Sequence, residues 1–171
     1  MHVALMEPTD SRAAGQVGEL CAASGTSLHV IGPVEFPLGE LEGQEAAGGL
    51  DLWVHPDWFE FRRAIARERC YYFSSEGGKD LAEARLRPTS VLMFSATGEL
   101  PPRIREKYPH RLYRLPAEGV DGVRAVLQGA LEKIGAPAEL PEVGSAPAAK
   151  KGSRGGTRGG GARRGRGRAK R

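Results

Sequence analysis

At 171 residues the chain has room for one globular domain and a further segment, since domains run to roughly 100 to 200 residues. The net charge of +4 averages two unlike parts: residues 150–171 hold ten Lys or Arg, eight Gly and no acid, whereas the preceding 149 residues hold 15 basic and 21 acidic groups. No apolar run nears the roughly 18 residues of a membrane span, the amino terminus lacks the basic leader of a signal peptide, and Cys21 and Cys70 stand in no Cys-x-x-Cys or Cys/His cluster. A reducing, cytoplasmic location is therefore expected, and transporters, receptors, zinc modules and disulfide-built secreted proteins are excluded.

Taken in chain order, His2 to Glu7 predicts a short strand that Pro8 ends, and Thr9, Asp10 and Ser11 offer oxygens to cap a helix over Arg12 to Ser24. Within it Val17, Leu20, Cys21 and Ser24 share one face, and Gly25 stands where a left-handed carboxyl cap belongs. Ser27 to Ile31 is a second strand. A strand, helix and strand joined by short turns require a crossover, so the two strands are expected to be parallel. Val34 to Gly49 mixes Pro, Gly and Glu without period and reads as a loop with a short helical turn. Asp51 to His55 is a third strand, Asp57 caps a helix through Arg67, and Cys70 to Ser74 is a fourth strand.

A loop over Ser75 to Pro88 carries a helical piece at Lys79 to Arg85. Ser90 to Ala96, with Val91-Leu92-Met93-Phe94, is the most apolar strand and is expected at the centre of the sheet, because parallel strands covered on both faces lose polar alternation. Pro101 opens a helix to Lys107, and His110 to Pro116 is a sixth strand. Val120 to Ile134 is a helix with Val123, Val126, Leu127, Ala130, Leu131 and Ile134 on one face, ended by Gly135 and Pro137. The chain thus divides into an α/β domain over 1–137, a Pro/Ala-rich linker over 138–149 and a Gly/Arg-rich tail over 150–171 that lacks the apolar residues to fold alone.

The tail is the clearest functional signal. Arg154, Arg158, Arg163, Arg164, Arg166, Arg168, Lys170 and Arg171 alternate with glycine, and arginine grips phosphate bidentately while glycine lets the backbone follow an irregular polyanion. RNA suits such a segment because guanidinium groups also stack on exposed bases. In the body, the four histidines His2, His29, His55 and His110 fall in four strand regions without metal-ligand spacing and read as structural. Glu40 and Glu42 read as solvated surface, and the hydrolase, zinc-protease and nucleotide-hydrolase motifs are absent.

Several fragments carry a resemblance. Val3-Ala4-Leu5-Met6-Glu7-Pro8, Gly15, Leu20-Cys21-Ala22-Ala23-Ser24-Gly25, Leu28-His29-Val30-Ile31-Gly32-Pro33, Phe73-Ser74-Ser75-Glu76-Gly77, Leu92-Met93-Phe94, Leu100-Pro101 and Arg114-Leu115-Pro116 occur in an order that resembles the SPOUT superfamily of RNA 2′-O-methyltransferases, nearest the tRNA wobble-nucleotide group. The resemblance implies an α/β domain with a carboxy-terminal trefoil knot, a homodimer, a tRNA or rRNA substrate, and S-adenosylmethionine held among the knot loops. By position, its cofactor contacts fall on Phe73, Ser95 and Leu115.

The departures from the family pattern are local. Where the family has Asn-Thr-Gly-Asn and then an arginine, this chain has Ala13-Ala14-Gly15-Gln16 and Glu19; where it has Gly-Pro-Glu-x-x-Gly-Leu-Pro, this chain has Ser95-Ala96-Thr97-Gly98-Glu99-Leu100-Pro101, one residue shorter. The loop after Pro116 lacks the family's asparagines. No catalytic residue is assigned by the motifs, and Arg12, Arg103 or Arg114 are the candidates to replace the missing arginine. The leading expectation is an RNA-binding homologue with eroded cofactor and catalytic motifs. The alternatives are an active S-adenosylmethionine-dependent tRNA or rRNA 2′-O-methyltransferase and a dimeric interaction scaffold.

Overall fold

The computed structural model describes residues 1–65, 69–95 and 99–142. Strands β1 (His2–Met6), β2 (Ser27–Ile31), β3 (Leu52–His55), β4 (Cys70–Ser74), β5 (Val91–Ser95) and β6 (Leu112–Arg114) form one parallel sheet in the order β3-β2-β1-β5-β4-β6. Helices α1 (Ser11–Ser24), α2 (Gly39–Ala46), α3 (Trp58–Ala64), α4 (Pro102–Lys107) and α5 (Gly119–Lys133) connect and cover it. The α/β class and the parallel sheet flanked by helices agree with the sequence reading. β5 lies beside β1 at the middle of the sheet, as its apolar run requires.

The first unit follows its sequence signals closely. The Asp10 carboxylate accepts from the backbone N–H groups of Arg12 and Ala13, and Gly25 closes α1 at φ 63°, a conformation costly for residues with a Cβ. Asp57 caps α3 in the same way, accepting from Phe59 and Glu60.

Elsewhere the sequence reading is corrected. The stretch after Val34 holds a two-turn helix, α2, which no side chain caps; it forms because Leu41 buries against α1. α3 ends at Ala64, ahead of the expected Arg67, which is outside the described residues. The helical piece at 79–85 shrinks to a single 3₁₀ turn at Leu81–Glu83. Pro102, not Pro101, takes the first position of α4. The sixth strand is three residues long, because a 3₁₀ turn at Pro109–Arg111 consumes its start.

Alternation along the strands divides the core in two. Val3, Leu5, Leu28, Val30, Leu92 and Phe94 face α1, α2 and α5, where Val17, Leu20, Val126, Leu127 and Ala130 are buried. Ala4, Met6, Ile31, Tyr72, Val91 and Met93 face the opposite way, onto Phe61 of α3 and Leu100 and Ile104 next to or within α4. At roughly 1.5 to 3 kcal/mol per fully buried large apolar side chain, both layers contribute substantially, but the second is covered only by two short helices. After α5 the chain stays extended against the body: Leu140 is buried, and Arg124 donates to the carbonyls of Leu140 and Pro141. Residues 143–171, with most of the linker and the whole tail, lie outside the described residues.

Candidate active-site cleft

In parallel α/β sheets the carboxyl ends of the strands gather loops and backbone dipoles, and ligands bind there. Here β1, β5 and β4 end side by side at Met6, Ser95 and Ser74. A cleft of about 470 Å³ opens above them, lined by Glu7, Pro33, Ser95, Glu99, Pro102 and Arg105 among others. A second lobe of about 360 Å³ is lined by Ser74, Glu76, Pro102, Arg105, Glu106 and Leu112. The two lobes share Pro102 and Arg105, so the first turn of α4 forms the wall between them.

Two features make this cleft more than a surface groove. Glu7, directly after β1, has φ 49°, a left-handed conformation rare for a residue with a side chain and costing of order 1 to 3 kcal/mol. Its N–H donates to the Ile31 carbonyl at 2.8 Å, which anchors its backbone, and its carboxylate pairs with Arg103 at 3.2 Å in an exposed ion pair. The other feature is Arg105. It is the only Lys or Arg among the described residues lining either lobe, its side chain is 31 % exposed, and it donates to the carboxylate of Glu76. One guanidinium among the carboxylates of Glu7, Glu35, Glu76, Glu99 and Glu106 gives the cleft an anionic field with a single anchor for a carboxylate or phosphate.

The residues singled out by the sequence are dispersed. Ser95 and Leu115 meet in an apolar cavity between α1 and α5, also lined by Phe94, Val17 and Val123, and Ser95 lines the main cleft as well. Leu115 is fixed by its N–H, which donates to the Ser74 carbonyl at 2.9 Å. The Phe73 side chain is wholly buried beneath this cavity, stacked on Phe94 with ring centroids 5.2 Å apart. Arg12 and Arg114 are exposed and line no described cavity, and Arg103 is held by Glu7. Glu40 lies on α2 against α1: a Cβ at Gly15 would stand 2.7 Å from its carboxyl carbon. The eight tail cations are outside the described residues. Arg105 was missed by motif reading, because only the topology shows which side of α4 borders the cleft.

Sequence spacing also missed a relation among histidines. His2 Nδ1 lies 3.0 Å from His29 Nε2, and His29 Nδ1 lies 3.0 Å from His55 Nε2, so three imidazoles form a hydrogen-bonded line across β1, β2 and β3. His29 stacks on His55, and Phe61 meets both rings edge-on. Burial pushes the His29 imidazole down to about 4, aided by His2 and His55. Burial also lowers His2 and His55 below the usual histidine range. Among the described residues no group of His, Cys, Asp and Glu is arranged to hold a metal, and no helix is long and apolar enough to cross a membrane. Both cysteines are buried and neither is in a disulfide, and burial raises the Cys21 thiol.

No protein-family model matches the chain. Among characterised proteins it is 33% identical over 125 residues to a tRNA (cytidine(34)-2′-O)-methyltransferase from Burkholderia pseudomallei, a match covering 67% of this chain and 79% of the relative. A protein of the same name from Methylovorus glucosotrophus is 29% identical over 122 residues, covering 67% of this chain and 78% of the relative. A solved structure described as giving insights into the 2-OH methylation of C/U34 on tRNA superposes with a TM-score of 0.68 at 28% identity, over 77% of this chain and 94% of the other. The SpoU methyltransferase AviRb from Streptomyces viridochromogenes, solved with the cofactor AdoMet, shares the fold with a TM-score of 0.60 at 18% identity, over 78% and 57% of the two chains. The parallel sheet, the order of its motifs and this level of identity agree: the chain belongs to the tRNA (cytidine(34)-2′-O)-methyltransferase family of the SPOUT superfamily.

Proposed function

We propose that this protein is an RNA 2′-O-methyltransferase that acts on tRNA in the cytoplasm, with Arg105 taking the place of the arginine its first motif lacks. The observation that carries this reading is the position of Arg105, the one described cation in the cleft at the carboxyl ends of β1, β4 and β5. The lining chemistry fits S-adenosylmethionine: the 470 Å³ cleft has the room and the carboxylates to suit a cationic sulfonium and ammonium, and at Ser95 it adjoins a small apolar cavity of about 60 Å³ lined by Leu115, Phe94 and Val123. When bound, S-adenosylmethionine supplies the electrophilic methyl group. The protein then has to align a ribose hydroxyl and assist one proton. Arg105 holds the neighbouring phosphate, and Glu7, anchored through its N–H on the Ile31 carbonyl, accepts the hydroxyl proton.

The reading includes a trefoil knot, a homodimer and an RNA-binding tail. The knot is supported by the bonds from Arg114 N–H to the Lys79 carbonyl and from Leu115 N–H to the Ser74 carbonyl, which hold the entry to α5 within the loop after β4. Gly77 supports it further, since any Cβ there would overlap the Tyr113 carbonyl. Sedimentation of the full chain tests the dimer. The tail, with ten cations, supplies most of the RNA affinity, so truncation after Ala149 removes most of the binding and its salt dependence.

Calorimetric titration of S-adenosylmethionine into the full chain tests the cofactor site. Binding in the micromolar range is expected, and Arg105→Ala is expected to keep cofactor heat while losing methyl transfer. A second reading, an RNA-binding homologue without methyl transfer, is favoured by Glu19, which puts an anion where the family has an arginine. Absence of cofactor heat with RNA binding intact would select it.

A further inference from the structure

The body's net negative charge conceals a division between the two faces of the sheet. Helices α1, α2 and α5, on one face, carry six carboxylates and three Lys or Arg. Helices α3 and α4, on the other, carry Arg62, Arg63, Arg103, Arg105 and Lys107 against Glu60 and Glu106. α3 and α4 cover the same core layer and are bridged by Arg62 Nη1, which donates to the Tyr108 hydroxyl at 3.1 Å.

Resting on the RNA-binding reading above, we propose that the α3–α4 face is an RNA surface of the folded domain, which takes the phosphates of a strand leaving the cleft and stacks one unpaired base on Phe59. The face begins at the cleft, since Pro102 and Arg105 of α4 line it. Phe59 is 68% exposed, and the Arg63 guanidinium lies 6.0 Å from its ring centre, so one aromatic platform is flanked by a cation. Single-stranded nucleic acid is gripped by this combination of stacking ring and backbone charge. Arg63 pairs with Glu60, but both side chains are exposed at 68% and 44%, and exposed pairs are weak enough for a phosphate to displace. A protein partner fits less well. Phe59 is the only exposed large apolar side chain on these two helices among the described residues, whereas a stable protein interface buries about 800 Å² on each partner.

The test uses the full chain, tail included, and fluorescence anisotropy with a labelled 17-nucleotide hairpin RNA bearing a seven-base loop. Arg63→Ala with Lys107→Ala removes two positive charges from the face; Ala23→Glu with Ala125→Glu makes the same change in net charge by adding two carboxylates to the exposed side of α1 and α5. The first pair is expected to weaken binding about tenfold and to lower the slope of log affinity against log salt by about two, the second by less than twofold. Phe59→Ala is expected to weaken binding about fivefold or more with the slope unchanged. Equal losses in the two pairs would reduce the effect to net charge and overturn the proposal, as would wild-type affinity in Arg63→Ala with Lys107→Ala or a changed sedimentation coefficient in place of changed RNA affinity. No RNA binding by the wild-type chain would overturn the RNA reading itself, a failure distinct from these.

Discussion

The two layers that sandwich the sheet are built differently. The α1, α2 and α5 layer is aliphatic, with long helices whose Val, Leu and Ala side chains repeat at helical spacing. The α3 and α4 layer rests on two short helices and is filled with rings: Phe61 against His29 and His55, Trp58 against Phe61 and Tyr72, and Tyr72 stacked on Tyr108. The first layer gives bulk stability through interchangeable methylene contacts, whereas the second concentrates its stability in a few rings and places buried imidazoles and exposed cations next to one another. Regular packing and chemical diversity thus occupy opposite sides of one sheet.

The contrast is sharpest at Phe61, which is wholly buried and covers the histidine line. Phe61→Ala is expected to cost about 4 kcal/mol in urea unfolding, the larger of the two layer tests, and Leu127→Ala in the aliphatic layer about 3 kcal/mol. Equal acid sensitivity in the two variants would break the comparison, for the following reason. His29 is held neutral with its folded value lowered to about 4 from 6.5, so between those values the unfolded chain binds the extra proton and stability falls as pH falls. From pH 7 to pH 4.5 the loss is expected to be about 2 to 3 kcal/mol. Opening the layer with Phe61→Ala lets water reach His29 and shrinks this loss, while Leu127→Ala leaves it unchanged.

The smallest effects concern helix starts. Asp10→Ala at α1 and Asp57→Ala at α3 each remove a carboxylate that accepts two backbone N–H groups, and each is expected to lower stability by about 1 kcal/mol in thermal unfolding. Because α3 has only seven residues, loss of its cap is also expected to raise amide exchange throughout that helix, which loss of the Asp10 cap does not do in the fourteen-residue α1.

What the sequence revealed follows the same division. β1, α1 and β2 were legible nearly to the residue, because Asp10, Gly25 and an apolar period mark their limits locally. The central place of β5 was legible from its unbroken apolar run. Only a helical turn was legible at α2, not its eight residues, since no capping side chain or period announces it and its single buried residue, Leu41, depends on α1 being in place. The histidine line was invisible because it depends on strand register: Ile31 stands opposite His55, while Ala4 stands opposite His29, two residues beyond His2. Of the candidate site, Ser95 and Leu115 do meet at one cavity, but Arg105 lies in no motif and gains its position from the crossover that carries α4 past the ends of β4 and β5.

The central claim, methyl transfer to tRNA at this cleft, is tested most directly by incubating the full chain with methyl-labelled S-adenosylmethionine and bulk tRNA, then digesting the RNA and identifying the labelled nucleoside by mass spectrometry. The account predicts a 2′-O-methylated nucleoside with the wild-type chain and at least a hundredfold less with Arg105→Ala, on the order of the loss seen when one charge-stabilising group is removed from an active site. Unlabelled tRNA from the wild-type reaction, or equal labelling by Arg105→Ala, would contradict it.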